Sequence, residues 1–210
     1  MPTLQVILER LKKVEPLTDL LTYCERLHGH ICPGQVLGAR MSMLGCELLG
    51  LHEPCGADRK KLIVWVEIDR CMADAVSAVT GVRLGRRSLK FFDYGKVAAT
   101  FLHTETGQAV RIVALDSSRA LADERYPSLE SKKERQMRAY IEAGAQELFK
   151  VDWVQVDYGE LDAPGKPQSR VQCSLCGEGV NDGREVLGAN GKKLCQPCAL
   201  GGYYQTILPG

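Results

Sequence analysis

Cys173 and Cys176, then Cys195 and Cys198, form two Cys-x-x-Cys pairs with 18 residues between them. Each pair lets the chain turn back over one edge of a tetrahedron. Four thiolates suit the borderline-soft zinc ion, so the spacing predicts a four-cysteine zinc site. A second constellation lies towards the other end, where His28, His30 and Cys32 alternate in His-Gly-His-Ile-Cys. In an extended loop that alternation puts three ligand-type side chains on one side. Cys32 stands before Pro33 and Cys71 follows an apolar run, each at a predicted helix start, where unpaired N–H groups and the helix dipole favour a thiolate. If the fold brings these two starts together, His30, Cys32 and Cys71 make a mixed His/Cys metal site with an open position. His28 is then a further ligand or an orienting neighbour, and the same four residues are the candidate catalytic groups. The plain alternative is that the histidines cap helices and both cysteines are small buried residues.

Other polar residues near these motifs carry weaker expectations. Asp69, Asp74, Asp93 and Lys96 can serve as acid, base or orienting groups, although Asp74 also reads as an ordinary first-turn carboxylate of a helix and Lys96 as a solvated strand-end lysine. Cys24 and Cys46 fall on apolar helix faces and are expected in the core. Cys55 lies in a turn without an assigned role, and His52 and His103 are expected at the surface or as caps.

Nine cysteines, an odd number, make a disulfide framework a poor account of the chain. The apolar run at residues 4–8 is interrupted at once by Glu9, Arg10, Lys12 and Lys13, which denies it the core of a signal peptide, so a cytoplasmic protein is expected. Stretches such as residues 62–66 fall far short of the roughly 18 apolar residues a membrane helix needs. With 45% hydrophobic and 25% charged residues, the 210-residue chain has the makings of a real core. Its formal net charge of +1 gives no overall pull towards nucleic acid.

The elements that must position these groups follow from periodicity. A helix is expected from about Thr18 to His28, and a second from Pro33 with Leu37, Met41, Leu44 and Leu48 as its apolar stripe. A buried strand at residues 62–68 leads into a third helix from Cys71, which ends at Gly81. Residues 89–93, 96–103 and 108–115 read as strands of a β-meander. One helical period covers residues 137–148 and a closing strand residues 151–156. Helices and strands do not alternate strictly, which favours an α+β core over a doubly wound sheet. Gly159, Pro164, Gly165 and Pro167 interrupt every period. The expected organisation is therefore a core at residues 1–160, a linker at 161–170 and a zinc finger at 171–210. Within the finger, a hairpin about Ala189-Asn190-Gly191 and a short helix after Cys195 complete a pattern that resembles a treble clef. Its acidic residues Glu178, Asp182 and Glu185 offset Arg170, Arg184, Lys192 and Lys193, so a structural or protein-docking finger is expected rather than a nucleic-acid reader.

The motifs also carry a family resemblance. His-Gly-His-Ile-Cys-Pro-Gly at residues 28–34, with Leu37-Gly38-Ala39-Arg40, resembles the opening motif of the FmdE family, which takes its name from formylmethanofuran dehydrogenase. Cys71-Met72-Ala73-Asp74-Ala75, Thr80-Gly81, Leu84-Gly85 and Asp93-Tyr94-Gly95-Lys96 are similar to its second block. The resemblance implies an α+β core, a homodimer, and an active or metal site built from the His-Gly-His-x-Cys loop and the later cysteine. It also implies, in some members, a C-terminal treble clef and association with a molybdenum or tungsten enzyme. The function expected is metal binding in a molybdenum- or tungsten-linked redox pathway, with zinc in the finger and a second metal in the core. The alternative of another class is a zinc-finger adaptor or nucleic-acid-binding regulator with a ligand-sensing core.

Overall fold

The computed structural model describes residues 15–207, with side chains from Leu17 onward, so the N-terminal run at residues 4–13 lies outside it. The chain divides into two units, Met1–Asp157 and Tyr158–Gly210.

The first unit is α+β. Its elements are α1 (Glu15–His28), α2 (Pro33–Leu48), β1 (Leu62–Val66), α3 (Cys71–Thr80), β2 (Leu89–Phe91), β3 (Ala98–His103) and β4 (Ala109–Ala114). They are followed by α4 (Ser117–Arg125), α5 (Lys132–Glu142), α6 (Ala145–Leu148) and β5 (Phe149–Val154). Five strands form one sheet in the order β2-β1-β3-β4-β5. β3, β4 and β5 are an antiparallel meander, and β1 joins β3 antiparallel with Val64 opposite Phe101. β2 differs from expectation: it lies on the far side of β1 and parallel to it, instead of beside β3. The chain after β2 crosses the end of β1 on the way to β3. The Phe92 N–H donates to Val66 O, and those of Tyr94 and Lys96 donate to Glu67 O, so the crossing satisfies carbonyls the strand end would otherwise expose.

Alternate residues of the sheet, among them Leu62, Val64, Ala99, Phe101, Val110 and Ile112, share one core with Val36, Met41 and Leu44 of α2 and Met72 and Val76 of α3. Met41 and Leu44 are fully buried there, which makes their stripe core. α2 is buried nearly all round, so its small residues decide how closely its neighbours approach. A Cβ on Gly45 would stand 2.6 Å from the Phe101 ring. One on Gly38 would stand 2.6 Å from Met72 O and 2.7 Å from Ala75 Cβ. α2 and α3 therefore cross in backbone contact at Gly38.

The single helical period at residues 137–148 is broken in two. Arg40, buried on α2, donates from Nη1 to Tyr140 O (2.5 Å) and Ala143 O (2.7 Å), and so takes up the last carbonyls of α5. The Glu147 carboxylate accepts from the Gly144 N–H at 2.7 Å and starts α6. Burial lowers the Arg40 pKa to about 10.

The second unit holds β6 (Arg170–Gln172), β7 (Gly179–Asn181), β8 (Val186–Leu187), β9 (Lys193–Leu194) and α7 (Gln196–Leu200). β8 and β9 form the expected hairpin, with Asn190 at φ 65° and Gly191 at φ 71°. The Pro/Gly stretch before β6 is held to this unit. The Gln168 N–H donates to Asp182 Oδ1 at 2.7 Å, and the Arg184 guanidinium pairs with Asp162.

Candidate metal centres

α1 stops at His28 because Gly29 adopts φ +90°, with its N–H on Glu25 O at 2.7 Å. The chain then runs extended to Cys32, which caps α2 at φ −147°, with Pro33 in the first turn. α3 begins at Cys71 after an extended Arg70. Because α2 and α3 touch at Gly38, their starts lie together. A Cβ on Gly34 would be 3.2 Å from Cys71 Cβ and 3.8 Å from Cys32 Sγ, so both cysteine side chains flank that glycine. Gln35 ties the two starts further, donating from Nε2 to Cys71 O at 2.7 Å.

The ligand atoms of His28, His30 and Cys32 all lie within 4.8 Å of one another, and the two imidazoles are tilted by 44°. His28 Nδ1 meets Asp74 Oδ2 at 2.8 Å. A carboxylate accepts, so Nδ1 carries the hydrogen and Nε2 presents its lone pair. That Nε2 is buried and has no protein partner; nor has Oε1 of the fully buried Gln35. Three buried side-chain atoms among the described residues are left in this state, and two of them belong to this corner of the fold. An unmet buried polar group costs about 1–3 kcal/mol, and a metal at His28 Nε2 removes one such cost. Two imidazoles and a thiolate are a ligand set that zinc and its neighbours accept.

Cys71 stands beside Cys32 but outside the group of three. Its thiol is pushed up, first by burial and then by the hydrogen bond and charge of Cys32. The thiolate expected from its helix start is thus not favoured in the metal-free protein, because desolvation and a neighbouring thiol outweigh the helix end. Asp74, which reads as an ordinary first-turn carboxylate in the sequence, is the partner of His28. No spacing signal could have shown it, since 46 residues separate the two and only the helix crossing joins them. Asp93 accepts from the Gly95 N–H and shapes a turn, and Lys96 Nζ lies 6.0 Å from the centre of the Tyr94 ring. Neither joins the three ligands.

In the second unit, Cys173, Cys176, Cys195 and Cys198 place their sulfurs within 4.8 Å of one another, a cluster that fits a small zinc-binding domain. Cys176 and Cys195 Sγ are 3.8 Å apart. That is the edge of a tetrahedron with zinc–sulfur bonds of about 2.3 Å. Backbone N–H groups of Cys176, Cys195 and Leu175 pull the Cys173 thiol down to about 6. The Cys195 side chain and burial push that of Cys198 up to about 12. Four thiols at this separation cannot all ionise without a cation between them.

The remaining cysteines are structural. Cys24 and Cys46 are buried, and burial raises them to about 11 and 12. Cys55 donates to Val79 O at 3.3 Å. His103 is buried, and its Nδ1 accepts from the N–H groups of Glu105 and Thr106, closing the β3–β4 turn.

Residues 27–151 match the model of a family described as FmdE, molybdenum formylmethanofuran dehydrogenase operon. A protein of Archaeoglobus fulgidus named probable S-adenosyl-L-methionine-binding protein is 33% identical over 214 residues, which take in 92% of this chain and 56% of that protein. The chain thus spans about half the length of that relative. The crystal structure of an FmdE-like protein of tungsten formylmethanofuran dehydrogenase from Syntrophus aciditrophicus has a TM-score of 0.61 at 23% identity. The superposition covers 90% of this chain and 95% of that one, a likeness of fold.

Proposed function

Since the chain belongs to the FmdE family, whose match takes in more than half of its residues, we propose that it is a metal-binding protein with two separate centres. The core centre serves, as catalyst or accessory component, a molybdenum- or tungsten-linked redox pathway in the cytoplasm. His28, His30 and Cys32 hold the core metal, His28 through Nε2, and Cys71 stands next to it as an exchangeable ligand or reacting thiol. A metal there supplies Lewis acidity at an open position. The protein's own contribution is orientation: Asp74 fixes the His28 ring, Gly34 lets the two cysteines approach, and Gln35 holds the first carbonyl of α3. The observation that carries the reading is the buried, unpartnered His28 Nε2 at the mouth of a three-ligand cluster.

The C-terminal cysteines hold zinc in a treble-clef finger with a structural or protein-docking role. Arg184 and Lys193 pair within the unit with Asp162 and Glu185, which supports that role over phosphate binding. A molybdenum or tungsten enzyme is the partner this reading calls for, and a homodimer is the state the family resemblance implies. Metal analysis of the full-length protein tests the centres: two equivalents per chain are expected, with Cys32→Ser removing one and Cys176→Ser the other. A wild-type chain with a single equivalent that Cys32→Ser leaves in place would overturn the core centre. Sedimentation at micromolar concentration tests the dimer.

A further inference from the structure

Asp74 has a second neighbourhood. Besides holding His28, it lines a cleft of about 500 Å³ between α3 and the β1–β2 edge of the sheet. The walls are apolar: Val66, Ile68 and Leu89 come from the strands and Ala73 from the helix. Leu84 and Phe91 line it too, and they are 66% and 44% exposed, large apolar groups open to water. Clefts of this size and lining bind small organic molecules, and lip residues of this kind are explained by a ligand that covers them.

The polar groups decide the sign of that ligand. Arg83 is the cation of the cleft, and its Nη1 is turned into the wall, donating to Ser77 O, Ser77 Oγ and Val82 O. It builds the wall by fixing the end of α3 against the turn that follows. The charges left to the cleft are the carboxylates of Asp69 and Asp74, which stand either side of the helix start. Asp74 gives Oδ2 to His28, and an aromatic face is at hand in Phe91.

We propose that this cleft is a binding site for an amine carried on a small aromatic or aliphatic body. The body lies against Leu84, Leu89 and Phe91, and the ammonium group lies at Asp69 and Asp74. The carboxylate that orients His28 then touches the ligand as well, so the cleft delivers the molecule's polar end to the metal centre. As a substrate pocket it rests on the reading of that centre; as a binding site it does not.

Two probes with the same ring and opposite charge test it, phenethylamine and 3-phenylpropionate, titrated into full-length ¹⁵N-labelled protein at low salt. Phenethylamine is expected to shift the amide signals of Ala73, Asp74, Ser77 and Leu89, and to bind about tenfold more tightly than the carboxylate, a preference that shrinks as salt is added. Asp69→Asn should weaken it by about three- to tenfold with the fold intact. Equal or tighter binding of 3-phenylpropionate overturns the proposal, as does the absence of shifts at these residues at millimolar amine. The titration is repeated on zinc-loaded and on chelator-treated protein. Amine binding by a core that takes up no metal keeps the cleft and removes the metal centre. A metal-loaded core indifferent to the amine keeps the centre and removes the cleft.

Discussion

Removal of the Asp74 carboxylate should loosen the core metal without loosening the fold. Asp74 Oδ2 is 2.8 Å from His28 Nδ1, and 63% of the aspartate side chain is exposed, against 15% of the histidine. A hydrogen bond to a charged group is worth about 1.5–3 kcal/mol in a dry setting. Solvent around this carboxylate brings the figure to about 1–2 kcal/mol. Asp74→Ala should therefore raise the dissociation constant of the core metal by about 5–30-fold. The effect overlaps the range typical of groups that orient a ligand rather than bind the metal. Asp74→Asn should cost less, about two- to fivefold, since its amide oxygen still accepts from Nδ1 without the charge. Chelator competition on full-length protein measures both, in a Cys195→Ser background so that only the core equivalent is counted. Long-range ¹H–¹⁵N NMR of the metal-free protein adds a readout that a surface carboxylate would not move: His28 should carry its proton on Nδ1, and Asp74→Ala should mix the tautomers. An unchanged affinity in Asp74→Ala, together with a proton on Nε2 in the parent, would refute the argument and leave His28 a capping residue.

Three further outcomes follow from the packing. Cys176→Ser or Cys195→Ser should release one zinc and unfold the finger, while Cys24 and Cys46 stay protected from alkylation; simultaneous exposure of both sets would mean the two units do not fold separately. Gly38→Ala gains about 1 kcal/mol of helix propensity but loses about 3 kcal/mol to overpacking against Met72 O and Ala75 Cβ. Its melting temperature should fall by about 4–8 °C and its core metal be lost first, which calorimetry and metal counting check. Above pH 9 the folded state keeps protons on Cys24 and Cys46 that the unfolded chain releases, because burial raises them from the ordinary 9 to about 11 and 12. Stability is therefore expected to fall as pH rises from 9 towards 12. Urea midpoints at pH 8 and 10.5 should differ less in a Cys24→Ala/Cys46→Ala protein than in the parent, and equal differences would remove the claim.

What the sequence shows of this molecule is what depends on short range. Helix starts at Pro33 and Cys71 are legible because proline in a first turn and the strand before Cys71 are local signals. The Asn190-Gly191 hairpin and the paired Cys-x-x-Cys spacing are legible for the same reason, since a turn and a tetrahedron edge each span a few residues. The place of β2 is not. Residues 89–91 carry a strand signal, but whether they pair with β1 or β3 depends on where the carbonyls of Val66 and Glu67 find donors, and those donors are the N–H groups of Phe92, Tyr94 and Lys96. The break between α5 and α6 has a remote cause too. Residues 137–148 keep one helical period, and it is Arg40, a hundred residues earlier, that supplies the cap ending the first helix.

The core site divides along the same line. His28, His30 and Cys32 are close in sequence, so their convergence needs only an extended loop, whereas the bond between His28 and Asp74 needs the crossing of α2 on α3. That crossing is set by Gly38, a residue with no chemistry of its own. With a side chain there the helices would stand further apart, Cys71 would leave Cys32, and His28 would lose its carboxylate. The ligands are therefore written in the His-Gly-His-Ile-Cys loop, but the group that orients them is written in helix packing. A motif of four residues predicts where a metal binds, and the glycine at the crossing decides how well.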